Sequence, residues 1–270
     1  MKRRFKDIWR KLVEIVKKPE MRILPGQLAF FLLLSIIPLV AVIAVMAGKF
    51  NLPIDDIVKA IDSSLPSDIA DFITDIINSK VDVNIVIFCL SAFILASNGP
   101  MSMITGSNLL YKIKDKDIVS TRIKAIIMTM FLVMLLLFVL AVPLFGNQIV
   151  DALVNFIPND TVDTYIKVGY NILKYPISIF FIFFFIKLLY TMAPDKKIRS
   201  RYTTSGAVFT TIGWIIATEI YSLYVTKFVN YSVLYGSVAH LIVLFTWIYL
   251  LSYVFVVGMA INASSVEEDE

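Results

Sequence analysis

Glu219 and His240 stand in the stretch ATEIYSLYVTKFVNYSVLYGSVAH, residues 217–240, where two long apolar runs meet. An ionised side chain in hydrocarbon costs several kcal/mol, so such a group pairs, takes a proton or lines water, and its default reading is functional. Counted from a turn near Asn230, the two fall at nearly the same depth of an antiparallel hairpin, where a Glu–His pair would accept a proton. The structural alternative is a local polar contact near an interface, with Tyr221, Tyr224, Tyr231 and Tyr235 as an aromatic belt. A second set surrounds SNGPM, residues 97–101. Gly99 and Pro100 predict a kink or a short unwound piece there. Ser91, Asn98, Ser102 and Thr105 follow at steps of seven, four and three, as one polar stripe. Broken helices with polar stripes hold substrates and ions in transporters; small polar residues also simply join helices. In the first apolar run, Pro38 displaces the carbonyl of Leu34, which the Ser35 hydroxyl can satisfy. Cys89 and His240 are the only residues of their types. They allow no internal disulfide and no zinc-type cluster, and no metal or cofactor is expected.

The elements that must position these groups are apolar helices. The chain is 58% hydrophobic with a mean hydropathy of +0.80, and its apolar residues come in blocks about as long as a bilayer is thick. The expected fold is all-α: a polytopic membrane protein with six transmembrane helices over 27–48, 83–110, 123–145, 169–190, 205–226 and 234–262, forming one domain from 27 to 262. Residues 1–26 carry Phe5, Ile8, Trp9, Leu12, Val13, Ile15 and Val16 as an apolar stripe among lysines and arginines. They read as an interfacial amphipathic helix on anionic lipid headgroups, or as a helix packed on the protein itself. They do not read as a cleavable signal. In the fifth run, Gly206, Thr210, Gly213 and Ala217 share a face and predict close helix packing.

Orientation follows from the 25 Lys and Arg residues. Nine lie in the N-terminal segment, five in the loop after span two and five in the loop after span four. The alternate loops hold three, two and one. Both termini are therefore expected in the cytoplasm, with 263–270 as an acidic cytoplasmic tail. The net charge of +4 reflects this asymmetry and calls for no nucleic-acid partner. The outer loops after spans one and three share a pattern offset by 92 residues (Ile57, Val58, Ala60, Pro66, Asp68 and Asp71 against Ile149, Val150, Ala152, Pro158, Asp160 and Asp163). It is either a trace of a repeat or two similar surface helices.

The chain resembles the BrkB/YihY-type inner-membrane protein family. The strongest stretch is residues 230–263, with Tyr235-Gly236-Ser237, Trp247 and Tyr249, then Gly258 and Asn262. Supporting matches are Ala29, Ser35 and Pro38; Asn108 and Tyr111; Leu189, Tyr190 and Pro194; Gly206 and Trp214. The resemblance implies a six-span bacterial inner-membrane protein with both ends inside. It also brings a historical ribonuclease label, which one intraspan histidine and no cytoplasmic acid cluster do not support. Departures are Phe30-Phe31, where the family often has tyrosines, and Glu219 and His240, at positions usually apolar or aromatic. The shared polar residues Ser35, Asn108, Tyr235, Ser237 and Asn262 thus become the general candidates, beside Pro38, Asn98, Ser102, Thr105, Glu219 and His240. The expected function is transport, export or lipid handling of an unknown small molecule or lipid. The alternative is a non-transporting scaffold that organises the envelope. No enzyme activity is expected, and self-association is open.

Overall fold

A computed structural model of the chain describes residues 13–35, 85–135, 160–228 and 239–267. Among these residues every regular element is helical and no strand occurs. After a helical turn at 13–16 and a 3-10 turn at Pro19–Arg22, the helices are α1 (Leu24–Ser35), α2 (Ile85–Ala96), α3 (Asn98–Leu110), α4 (Ile118–Leu135), α5 (Asp160–Met192), α6 (Thr204–Phe228) and α7 (Ala239–Glu267). Two stretches, α4 and Ile242–Glu267 within α7, are long and apolar enough to cross a membrane; Leu24–Ser35 and Pro176–Met192 are shorter apolar helices.

The distribution of side chains is inverted relative to a soluble protein. Ile87, Leu90, Ile94, Met130, Ile172, Ile212, Ile220 and Leu223 are exposed, while Ser35, Ser97, Ser107, Asn108, Thr129, Thr203, Thr210 and Asn262 are buried. Water would penalise so much apolar surface; lipid would not, and in lipid small polar side chains join helices. The interior closes around Met21, Leu24, Leu28, Met103, Ile104, Met128, Ile186, Tyr190, Phe255 and Met259.

The basic segment before α1 is not one helix. Helical backbone stops at Val16, Pro19 opens the 3-10 turn, and α1 starts at Leu24. A proline lacks the N–H that a continuous helix would need there. Ile15, Met21 and Leu24 are buried in the core, so this part packs on the protein. Residues 1–12 lie outside the described residues, as do Pro38, Tyr235, Ser237, both outer-loop patterns up to 159, and the tail from 268.

α5 is 33 residues long, about 50 Å at 1.5 Å per residue, and exceeds the expected span at its N-terminal end. Span two is divided. α2 ends at Ala96 and α3 starts at Asn98, with Ser97 between them. α3 closes in a left-handed C-cap: Lys112 has φ 56°, and the N–H groups of Lys112 and Ile113 return to the carbonyls of Leu109 and Asn108 at 3.2 and 2.8 Å. This double bond pattern satisfies the last carbonyls of a helix. The Lys112 side chain pairs with Glu267 at 2.7 Å, which ties the end of α3 to the end of α7.

Candidate functional site

The division of span two follows from one residue. Pro100 has no N–H to offer the carbonyl four residues back, that of Ala96. Ser35 of α1 takes its place, its hydroxyl lying 2.8 Å from the Ala96 carbonyl oxygen and 2.7 Å from that of Phe31 in its own helix. The expected need of the Leu34 carbonyl rests on Pro38, which lies outside the described residues; the Ser35 hydroxyl itself serves Phe31 and Ala96. The carbonyl that needs a donor is on the neighbouring helix. Gly99 makes the approach feasible: a Cβ there would lie 3.1 Å from Leu32 Cδ2 and 3.2 Å from Ser35 Oγ. Ser35→Ala orphans a buried carbonyl, a loss of about 1–3 kcal/mol. Thermal unfolding in detergent should show it as a clear drop in midpoint, whereas Ser91→Ala, at an exposed hydroxyl bonded within its own helix, should change nothing.

Ser97 and Asn98, at the kink, both accept hydrogen bonds from Arg122 of α4. Its Nη1 lies 3.0 Å from Ser97 Oγ and 2.9 Å from Asn98 Oδ1. Among the described residues Arg122 meets no carboxylate. Ser102 is buried, but Thr105 is exposed and bonds back to Met101, and Ser91 is exposed. The expected stripe is therefore split: Asn98 and Ser102 turn inward, while Ser91 and Thr105 turn outward.

Two positions on from Arg122, on the opposite side of α4, Lys124 enters a closed network. Its Nζ donates to the carbonyls of Ala193 and Pro194 at 2.7 and 2.8 Å and to Asp195 Oδ1 at 2.8 Å. Three ammonium hydrogens meet three oxygens. Asn108 donates through Nδ2 to Asp195 Oδ2 and Asp115 Oδ1, both at 2.7 Å, and accepts from the Asp195 N–H at 2.9 Å. The Asp195 side chain is 1% exposed. Burial alone would raise its carboxyl; hydrogen bonds from Lys124 and Asn108, with the Lys124 charge, hold it below the ordinary carboxylate value. Sequence reading singled out Asn108 but missed Asp195 and Lys124, which looked like ordinary loop charges.

The third cluster lies where α6 crosses α7. A Cβ on Gly206 would collide with the Gly258 carbonyl oxygen and one on Gly258 with Thr210 Oγ1, so backbone rests on backbone. Asn262 Oδ1 accepts from the Gly206 N–H at 2.7 Å. The Tyr190 phenol donates to the Phe255 carbonyl at 2.7 Å and accepts from the Thr210 hydroxyl at 2.6 Å. Trp214 Nε1 reaches the Leu251 carbonyl at 2.9 Å.

These pairings set the register of the hairpin. Gly206 opposes Asn262, Thr210 opposes Gly258, Gly213 opposes Val254, and Tyr221 opposes Val243. Residues near Thr246 therefore oppose Glu219. His240 stands about six residues nearer the start of α7, about 9 Å at helical rise, so the expected equal depth does not hold. Glu219 is exposed among Ile212, Ile216, Ile220 and Leu223. The His240 side chain lies outside the described residues, so their pairing does too.

Comparison with known proteins bears on the whole chain. The model of the family described as virulence factor BrkB matches residues 16–270. A Bacillus subtilis protein whose name calls it ribonuclease-like, YfkH, is 30% identical over 88% of this chain and 87% of its own length. UPF0761 membrane proteins of Vibrio atlanticus and Vibrio campbellii are 24% and 23% identical, over 91% and 90% of this chain and 78% and 77% of theirs. No solved structure matches.

Proposed function

This chain belongs to the virulence factor BrkB family of membrane proteins, and from that premise we propose that it is a six-span protein of a bacterial inner membrane, with both termini cytoplasmic, that transports, exports or handles a small molecule or lipid. One observation carries the reading: a bundle apolar outside gathers serine, threonine and asparagine inside, around a helix kinked at Ser97 and touched there by an arginine that meets no carboxylate among the described residues. Discontinuous helices flanked by polar groups form transporter sites, and a cation at such a place marks function by default. The N-terminal lysines and arginines that precede the described residues would hold that end on anionic lipid. The ribonuclease-like description stays with the Bacillus relative. Among the described residues the polar groups gathered here are mostly amides and hydroxyls, and the Asp195 carboxylate among them is paired with Lys124.

Native mass spectrometry of the protein, released from its own membranes in mild detergent, tests this reading. A lipid or metabolite kept in fixed stoichiometry supports it and names the compound for liposome flux assays. A protein that carries only a partner protein, or nothing, favours a membrane scaffold instead.

A further inference from the structure

Arg122 is a cation held at the junction of three helices by neutral groups. Its Nη1 meets Ser97 Oγ at 3.0 Å and Asn98 Oδ1 at 2.9 Å, where α2 passes into α3. The acids at this end of the molecule are engaged elsewhere. Asp117 accepts from the Ser120 N–H at the start of α4, Asp115 from Asn108, and Asp195 from Asn108 and Lys124. The neighbouring cations have their partners. Lys124 meets an oxygen with each ammonium hydrogen, and Lys112 pairs with Glu267. Among the described residues Arg122 has no counter-charge.

The way it is held decides what it can still bind. A guanidinium carries five N–H donors in one plane, two of them on Nη1, and Ser97 and Asn98 accept both. The Ser97 hydroxyl gives its own hydrogen to the Ile94 carbonyl at 2.6 Å, so its oxygen turns only lone pairs to the arginine. The Asn98 oxygen is likewise fixed toward Nη1, which leaves its Nδ2 hydrogens without an acceptor among the described residues. The hydrogens of Nε and Nη2 are without one too. Those two nitrogens form an edge of the guanidinium that takes two oxygens of a carboxylate or phosphate side by side. Ser97 is buried, whereas Arg122 and Asn98 are only half-buried. The fork is fixed on one side and open on the other.

The surroundings narrow the ligand. Val119, one turn before Arg122, and Ile123 beside it are 68% and 56% exposed, and Ile94, one turn before Asn98, is 52% exposed. Arg122 is four residues from the start of the apolar stretch Ile118–Leu135, about 6 Å along the axis. The guanidinium therefore sits near the edge of an apolar face, where long cationic side chains reach headgroups. A soluble anion gains nothing from that face; a lipid can place its phosphate on the fork and its chains along the isoleucines and valine. We propose that the Nε–Nη2 edge of Arg122, with the free Asn98 amide, binds the phosphate of an anionic lipid headgroup where α2, α3 and α4 meet. The inference rests on the proposed reading of the kink as a ligand site and narrows that ligand to one class.

Full-length protein, stripped of lipid in mild detergent and titrated with phosphatidylglycerol, tests this by native mass spectrometry. Wild type should bind it at a single site, in preference to phosphatidylcholine, and Arg122→Gln should weaken it about tenfold. Asn98→Asp is the variant that keeps the fold: its carboxylate still accepts from Nη1 and gives Arg122 a counter-charge. It should weaken the lipid as much while the unfolding midpoint holds or rises, which a purely structural role for Arg122 does not predict. Lys114→Gln removes an exposed loop cation and should change binding by no more than about twofold. An equal loss in Lys114→Gln shows general surface attraction and overturns the inference. Unchanged binding in Arg122→Gln and Asn98→Asp overturns it too, but a lipid held elsewhere leaves the proposed function standing. Displacement of the lipid by millimolar inorganic phosphate assigns the fork to a soluble anion, against the proposal. A wild type that binds no phosphatidylglycerol ends it, and only one that also retains no other compound from its own membranes counts against the proposed function.

Discussion

Asp195→Ala is expected to cost about 3–5 kcal/mol, as removal of one partner from a buried ion pair does, and to lower the unfolding midpoint by about 10 °C. The reason is the number of groups left without a partner. Lys124 keeps two carbonyls but loses its counter-charge, and one hydrogen of the Asn108 amide loses its acceptor. The carboxylate joins three chain segments, the end of α3, the start of α4 and the loop after α5, and its removal weakens all three junctions at once. Asp195→Asn should cost less, because its amide oxygen can still accept from Lys124, although its NH2 then faces the Asn108 amide hydrogens and the charge is gone. A double change, Lys124→Met with Asp195→Leu, should restore part of the loss, since no uncompensated charge remains. Midpoints of wild type, Lys124→Met, Asp195→Leu and their double variant close the cycle; strictly additive losses would mean that the pair contributes nothing as a pair.

The same network has a pH signature. The Asp195 carboxyl is held below its unfolded value, near 3.9, so its contribution is fully present above that value and disappears as pH falls through the folded one. Between pH 5 and 8 the difference between wild type and Asp195→Ala should stay constant. It should narrow only in acid, below about pH 4. Narrowing near neutrality would point to a different group.

The membrane class and the helical fold were legible in the sequence because both follow from apolar blocks of bilayer length. The division of span two was legible for the same kind of reason, since a proline always costs one carbonyl its partner. What was not legible was the donor. Ser35 is four residues from Phe31 and sixty-one from Ala96, and only packing shows that α1 lies close enough to serve both. Lys124 and Asp195 illustrate the limit more sharply. Each reads as a solvated loop charge, and they are seventy-one residues apart, so no local pattern announces that the ammonium will find three oxygens. Glu219 shows the reverse error. Its type and setting drew attention, yet it lies on an exposed face, and the pairing of α6 with α7 does not bring it level with His240.

The glycine crossing should be less forgiving than any hydrogen bond. Gly206→Ala or Gly258→Ala places a methyl carbon against a carbonyl oxygen or a threonine hydroxyl, and the neighbour on each side includes backbone, which cannot rotate away as a side chain end can. Overpacking commonly costs about 1–3 kcal/mol and more where nothing yields. Here separation of α6 from α7 would also break the Gly206–Asn262 and Trp214–Leu251 bonds, so the loss should reach the top of that range, with little folded protein recovered. Gly213→Ala is graded below it, because its obstacle is a Val254 methyl at 2.6 Å that a rotamer change moves. Gly169→Ala, with no atom within 4 Å of the new carbon, should instead gain about 0.5–1 kcal/mol from better helix propensity. Yields and midpoints by fluorescence-detected gel filtration would rank the four. If Gly206→Ala folded as well as Gly169→Ala, α6 and α7 would not be in backbone contact.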